Sequence, residues 1–292
     1  MTVVRLAALT SLAMLAFAGN SLLCRLALKH ALIDAASFTA IRLFSGALVL
    51  LLFASLRVHE RAVTGCVQPR GGLGGNWRSA IILFVYAATF SFAYTSLPTG
   101  AGALLLFGAV QLTMIMAAWR LGERLDFWQA AGLGLALSGL AAMLMPGLSA
   151  PPLAGALLMM VAGIAWGMYS LLGRDVTSPV AATAGNFLRA APLSLALSLV
   201  LAAQIRLDTS GVLYAVLSGA LTSGIGYVVW YAALRGLSAT RAASVQLTVP
   251  VLAAFGGTFF LGERFTLRLL VSCVAVIGGI ALVVFGARRV GN

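Results

Sequence analysis

The sequence predicts an all-α polytopic membrane protein of ten transmembrane helices, built as two inverted-topology halves of five. Three observations predict it: an apolar composition, apolar runs of spanning length from end to end, and a repeat at an offset of 140 residues. Hydrophobic residues make up 61% of the chain and charged ones 9%, against about a quarter charged in soluble domains. Such a chain cannot cover itself with polar surface in water. A run of about 20 apolar residues crosses a hydrocarbon core of about 30 Å, and lipid accepts the runs found here.

Read in order against their polar breaks, the apolar runs give spans at 4–28, 34–56, 79–97, 100–119, 127–145, 153–173, 180–203, 211–235, 241–261 and 266–287. The first begins like a signal peptide, with Arg5 and an Ala16-Phe17-Ala18 site. Apolar sequence continues to Leu28, so the run is read as a helix that stays. The breaks carry turn chemistry: paired glycines between Arg57 and Arg78, three prolines from Pro146 to Pro152, and Leu97-Pro98-Thr99-Gly100. The glycine stretch lacks the Gly-Lys-Ser/Thr ending of a phosphate loop.

The net charge of +12 does not gather into a basic face or tail, so a nucleic-acid partner is not expected. With the N-terminus inside, twelve of the 19 basic residues fall on the cytoplasmic side. Five, Arg25, Lys29, Arg206, Arg264 and Arg268, fall opposite. That bias places both termini in the cytoplasm. Cys24, Cys66 and Cys273 are too scattered for a zinc or redox motif, and His30 and His59 lie outside the spans. Metal, cofactor and enzymatic chemistry are not expected.

Leu121-Gly122-Glu123-Arg124 returns as Leu261-Gly262-Glu263-Arg264. Without a gap, the same offset pairs Ala93 with Ala233, Leu97 with Leu237, Ala103 with Ala243 and Gly139 with Gly279. Nearer the start, Ser21-Leu22-Leu23-Cys24-Arg25 resembles Ser170-Leu171-Leu172-Gly173-Arg174, and Arg42 answers Arg189. The halves are therefore 1–147 and 148–292, each of five spans. Because five is odd, two halves of one fold enter the membrane in opposite orientations, a recurring construction of secondary transporters.

The two halves, each closing with a helix, a Gly-Glu-Arg corner and a glycine-bearing last helix, resemble the repeats of the drug/metabolite transporter superfamily, specifically its EamA type. Length and aromatic content are similar to its YddG-type amino acid exporters. The resemblance implies ten helices, a central cavity, cytoplasmic termini, and export of amino acids or related metabolites from a bacterial cell through its inner membrane. One departure is visible: span nine has Val249-Pro250, whereas span four carries Val110 at the place of the proline.

Candidate cavity residues follow from their depth. Arg42 and Arg189 lie about 12–13 Å into their helices at 1.5 Å per residue, where a lone cation costs several kcal/mol unless something meets it. They either face a substrate carboxylate or tie loop carbonyls; their symmetric placement favours the tie. Midspan aromatics face protein or a cavity more often than lipid: Tyr86, Phe90 and Tyr94 on one face of span three, Trp166 and Tyr169 in span six, Tyr227, Trp230 and Tyr231 in span eight. Asn20, Gln111 and Gln246 supply amides, whose commoner use is bonding between helices. Glu123-Arg124 and Glu263-Arg264 are expected to fix corners as ion pairs or caps, with gating as the lesser alternative. Every acidic residue falls at a span end or in a loop, which predicts transport down the substrate gradient without a midmembrane proton carrier.

The function expected is alternating-access export of amino acids, aromatic or otherwise apolar, by a monomer, with a dimer as the alternative state. A carrier of another metabolite or drug class, and a scaffold or receptor that moves nothing, are the competing readings.

Overall fold

The structure is a computed structural model describing residues 2–63, 74–120, 127–145, 150–173, 176, 178–237 and 245–286. Helices account for its regular structure: α1 (Val3–Lys29), α2 (Ala35–Val63), α3 (Trp77–Tyr94), α4 (Thr99–Arg120), α5 (Phe127–Leu144), α6 (Leu153–Leu172) and α7 (Pro179–Val200). They continue as α8 (Thr209–Leu234), α9 (Thr248–Leu261) and α10 (Leu267–Gly286). Seven of them are long and apolar enough to cross a bilayer by themselves. The others are the short apolar α9 and α10 and the polar-studded α7, which buries Thr183, Asn186, Ser194 and Ser198 against neighbours.

Local chemistry sets the helix ends. Asp34 accepts from the backbone N–H of Ser37, Asn76 from Ser79 and Asp208 from Ser210, each meeting a helix's unpaired first-turn donors. At the far end of α9, Gly262 takes a left-handed φ of 62°, a conformation only glycine adopts without strain. That turn explains the glycine of the Gly-Glu-Arg corner. Its first-half counterpart at 122–124, with Glu123 and Arg124, lies outside the described residues.

Counterpart helices run antiparallel. Gly139 of α5 packs on Ala275 and Val276 of α10, while Gly279 meets Gly132 and Ala136 farther back along α5. Small residues let these backbones close together, which is how apolar helices associate where lipid removes the hydrophobic drive. Gly134 and Gly278 face away from this seam, with nothing within 4 Å of an added Cβ. Asp34, at the start of α2, accepts from Arg206 N beyond the end of α7, and Thr99, at the start of α4, meets the end of α9. Neighbours also repeat: α1 packs on α8 and α9 as α6 packs on α3 and α4. For these helices, exchanging the halves preserves the neighbours.

The core is one cluster running through the middle of the bundle, rich in alanine near α1, α4 and α6 and in rings near α3 and α8. Midway along α8 the helix widens into a π-helical segment, Ser218–Ile225. Such widening departs from the tighter α-helical ladder and is frequent at functional sites.

Candidate functional site

α1, α3, α4, α6 and α8 surround a central chamber of about 20 Å³, the room of a single water. Its wall is aromatic: Phe17, Tyr86, Phe90, Trp166 and Tyr227 all line it. Trp166 is the hub, with ring centroids 4.9 Å from Tyr86, 5.2 Å from Tyr227 and 5.6 Å from Tyr169. Offset and tilted ring pairs at these separations each contribute about 0.5–1.5 kcal/mol beyond the area they bury. The wall is thus a packed surface whose rings must part before anything larger than water enters.

The polar side of the chamber comes from Asn20, Ser21, Thr222 and Ser223. The π-helical turn makes this possible. Ser218 donates to Asn20 Oδ1 at 2.7 Å, with Thr222 Oγ1 at 3.3 Å from the same oxygen, while the next residue, Ser223, faces α2 and accepts from Arg42 Nε at 3.4 Å. Gly219 allows the close approach, since a Cβ there would overlap the Arg42 carbonyl and the Ser45 hydroxyl.

Arg42 stands directly behind this lining at 1% exposure. Its Nη2 donates to Tyr86 Oη at 3.1 Å, and its guanidinium carbon lies 4.9 Å from the Phe90 ring centroid and 5.3 Å from that of Tyr86. Nη1 is buried without a hydrogen-bond partner. Arg189 is placed differently: its Nη1 donates to the carbonyls of Gly74 and Gly185 at 3.0 and 2.9 Å, tying the loop before α3 to α7.

Toward the ends of the bundle the two faces differ. On the face where α3 and α7 begin, a second cavity of about 110 Å³ is lined by Asn76, Tyr169, Thr183, Asn186 and Tyr231, among others. Asn186 donates to Tyr169 and accepts from Asn76 N, and Thr183 hydrogen-bonds Tyr231. Tyr169 belongs to this cavity and stacks on Trp166 of the first, so the two lie in series. On the opposite face a latch joins four helix ends. Arg25 on α1 meets Glu263 beyond α9 at 3.2 Å and donates to the Tyr94 and Thr95 carbonyls at the end of α3. Glu263 also accepts from Thr99 N at 2.7 Å, and Lys29 donates to the Leu261 carbonyl.

Of the residues singled out from sequence, Tyr86, Phe90, Trp166, Tyr227 and Asn20 line the central chamber. Tyr94 is fully buried beyond it and donates to the Thr99 carbonyl. Trp230 packs edge-on against Phe17, Gln111 is buried in α4 with Nε2 unpartnered, and Gln246 lies half-buried just before α9. Glu263 pairs with Arg25 across the bundle, while Arg264, its neighbour in the corner, is exposed. Sequence reasoning passed over Phe17, Ser21, Thr222, Ser223 and the role of Arg25 as the partner of Glu263. A signal for the serines existed: the polar, glycine-broken stretch Ser218–Gly226 in the middle of an apolar run.

An α-helical bundle with antiparallel counterpart helices around a chamber at its centre has the architecture of a membrane transporter. The sequence matches the EamA-like transporter family twice, over residues 5–145 and 153–285, and the chain belongs to that family. Among relatives, an uncharacterized protein of Pseudomonas aeruginosa is 57% identical, covering 97% of this chain and 95% of its own. A probable amino-acid metabolite efflux pump of Escherichia coli is 24% identical over 71% of this chain and 77% of its own. One solved crystal structure superposes with a TM-score of 0.65 over 99% of this chain and 100% of that one, at 19% identity, which shows a shared fold.

Proposed function

We propose that this chain exports amino acids, aromatic or otherwise apolar, and related metabolites across a bacterial inner membrane by alternating access. The observation that carries the reading is the central chamber, a wall of rings facing a patch of hydroxyls and an amide. Rings take up an apolar side chain, and the polar patch takes up the head group, the division of labour usual in small-molecule sites. The relative named as a probable amino-acid metabolite efflux pump supports the substrate class. Residues 1–147 and 148–292 act as the two repeats, exchanging conformations so that the chamber opens to either face in turn. The latch at Arg25 and Glu263 closes one face while the cavity at Asn76 and Asn186 leads to the other. The basic bias sets both termini in the cytoplasm. Transport is facilitative, because among the described residues no carboxylate sits at midmembrane depth to carry a proton.

Counterflow in proteoliposomes across a panel of amino acids tests this. Phenylalanine, tryptophan and leucine are expected to exchange without an imposed pH gradient. Trp166→Ala and Tyr227→Ala are expected to lower exchange of the aromatic substrates about tenfold, the worth of one or two ring contacts. Exchange of solutes other than amino acids alone, or exchange only under a pH gradient, would overturn the reading.

A further inference from the structure

We propose that Arg42 makes the chamber selective for a carboxylate, acting from behind the lining through Tyr86 and Ser223. The inference rests on the export reading above and deepens it, by stating which end of the substrate the protein recognises.

The argument begins with charge. A cation in a nearly water-free site needs an anion or several hydrogen-bond acceptors around it. Arg42 has two hydroxyl oxygens and the faces of two rings, and one of its nitrogens lacks even that. The three carboxylates whose side chains are described are engaged elsewhere: Asp34 and Asp208 cap helices, and Glu263 serves the latch. Among the described residues, none compensates the positive charge beside the chamber. Hydrogen bonding sharpens the point. Tyr86 Oη and Ser223 Oγ both accept from Arg42, so the lone pairs of each are turned toward the guanidinium and each O–H remains to donate. Tyr86 and Ser223 both line the chamber. Asn20 adds to this, since its Oδ1 already accepts from Ser218 and its NH₂ is the end left over. The chamber therefore presents donors backed by a cation, the arrangement that strengthens hydrogen bonds to an anionic oxygen.

No comparable partner awaits an ammonium group. Among the described residues, none that lines the chamber is a carboxylate. The site accordingly reads the acid end of an amino acid and tolerates the absence of the amine. Parting of the rings on substrate entry brings the unpartnered Nη1 within reach of the carboxylate.

The test compares three competitors of phenylalanine counterflow in proteoliposomes: 3-phenylpropanoate, which lacks the amine, and phenylethylamine and phenylalaninamide, which lack the carboxylate. The wild type is expected to be inhibited by the acid and about tenfold more weakly, or less, by the other two, the difference one charge-assisted hydrogen bond makes. Arg42→Gln is expected to level that preference, and Tyr86→Phe and Ser223→Ala each to reduce it several-fold. Equal inhibition by acid and amine in the wild type would overturn the inference, as would an unchanged preference in Arg42→Gln. Should Arg42→Gln fail to fold, an unchanged preference in both hydroxyl variants overturns it equally. Should phenylalanine not exchange at all, the export reading falls on its own. Binding of 3-phenylpropanoate against phenylethylamine, read by quenching of tryptophan fluorescence, then decides the carboxylate preference; equal or absent binding defeats it.

Discussion

Arg42 and Arg189 occupy answering positions in the two halves, yet the structure gives them opposite surroundings. Arg189 is half-buried and spends its guanidinium on two backbone carbonyls, one of them in the loop before α3. Arg42 is wholly buried, donates to two hydroxyls, lies over two rings and keeps one nitrogen unpartnered. A repeat duplicates positions; it does not duplicate neighbours. The neighbour of Arg189 is a loop with carbonyls to satisfy, and that of Arg42 is the π-helical turn of α8. Equal residues can thus serve the fold in one half and the chamber in the other.

The comparison predicts a crossed pattern of mutational effects. Arg42→Leu removes a buried charge together with the cost of keeping it from water, and Tyr86 and Ser223, which accept from it, keep their own O–H to donate. Thermal unfolding in detergent is expected to stay within a few degrees of wild type or to rise. Counterflow is expected to fall by about a hundredfold, as loss of a charge together with the hydroxyls it orients implies. A stability loss comparable to the transport loss would place Arg42 among the structural ties with Arg189.

Gly185→Ala strikes the other arm. Its Cβ would collide with the Gly74 carbonyl and crowd Arg189 Nη1, so α7 and the loop must separate. A loss of about 2–4 kcal/mol is expected, in the range of overpacked cores, measured as a lowered midpoint of unfolding. Transport per folded molecule should change little. If transport falls while stability holds, the tie at Arg189 belongs to the transport cycle instead.

Much of this was legible in advance, and the reasons are physical. Spanning helices must carry about 20 apolar residues in a row, so the runs marked α1 to α6 and α8 closely. The Gly-Glu-Arg corner was visible because it recurs at an offset of 140 residues, and the left-handed turn at Gly262 explains its glycine. The partner of Glu263 was not, because Arg25 is 238 positions away and only the antiparallel packing of halves brings them together. Most of the aromatic wall could be read from depth, since a lipid-facing Tyr or Trp sits at the membrane interface rather than at midspan. Which rings line the chamber could not: Tyr86 and Tyr94 share a helical face, yet one lines it and the other closes against Thr99. Symmetry pointed to a common role for the two arginines, and tertiary neighbours divided them.

A milder change on the structural side separates charge from shape. Arg189→Lys keeps the charge but replaces the planar fork by a single ammonium, which has to span both carbonyls from a different length of stem. A loss of about 1 kcal/mol is expected, the worth of one weakened charge-assisted hydrogen bond, again as a lowered unfolding midpoint. The same Arg→Lys change at Arg42 should cost transport more than stability, because the hydroxyls of Tyr86 and Ser223 are addressed by two different nitrogens.

The smallest effect concerns the latch, where the first and second halves meet through a charge rather than a ring. Glu263 uses one oxygen on Arg25 and the other on Thr99 N. Glu263→Gln keeps one acceptor for the α4 N-terminus and turns an NH₂ toward Arg25, so the charge attraction goes while much of the packing stays. Both side chains are mostly buried, at 12% and 11% exposure, but the amide leaves each neighbour a hydrogen-bonding group, so the change costs about 1 kcal/mol. Global stability should therefore move little. The balance between closed and open faces responds to small energies, however, since about 1.4 kcal/mol is a tenfold shift. A cysteine at Ser21, which lines the chamber, placed in a background without Cys24, Cys66 and Cys273, reports that balance. Labelling from the Arg25 face is expected to rise two- to fivefold in Glu263→Gln, an order-of-magnitude figure from that conversion. Unchanged labelling would mean the latch is held by the Lys29 and Arg25 contacts to backbone carbonyls, with the carboxylate serving only to cap α4.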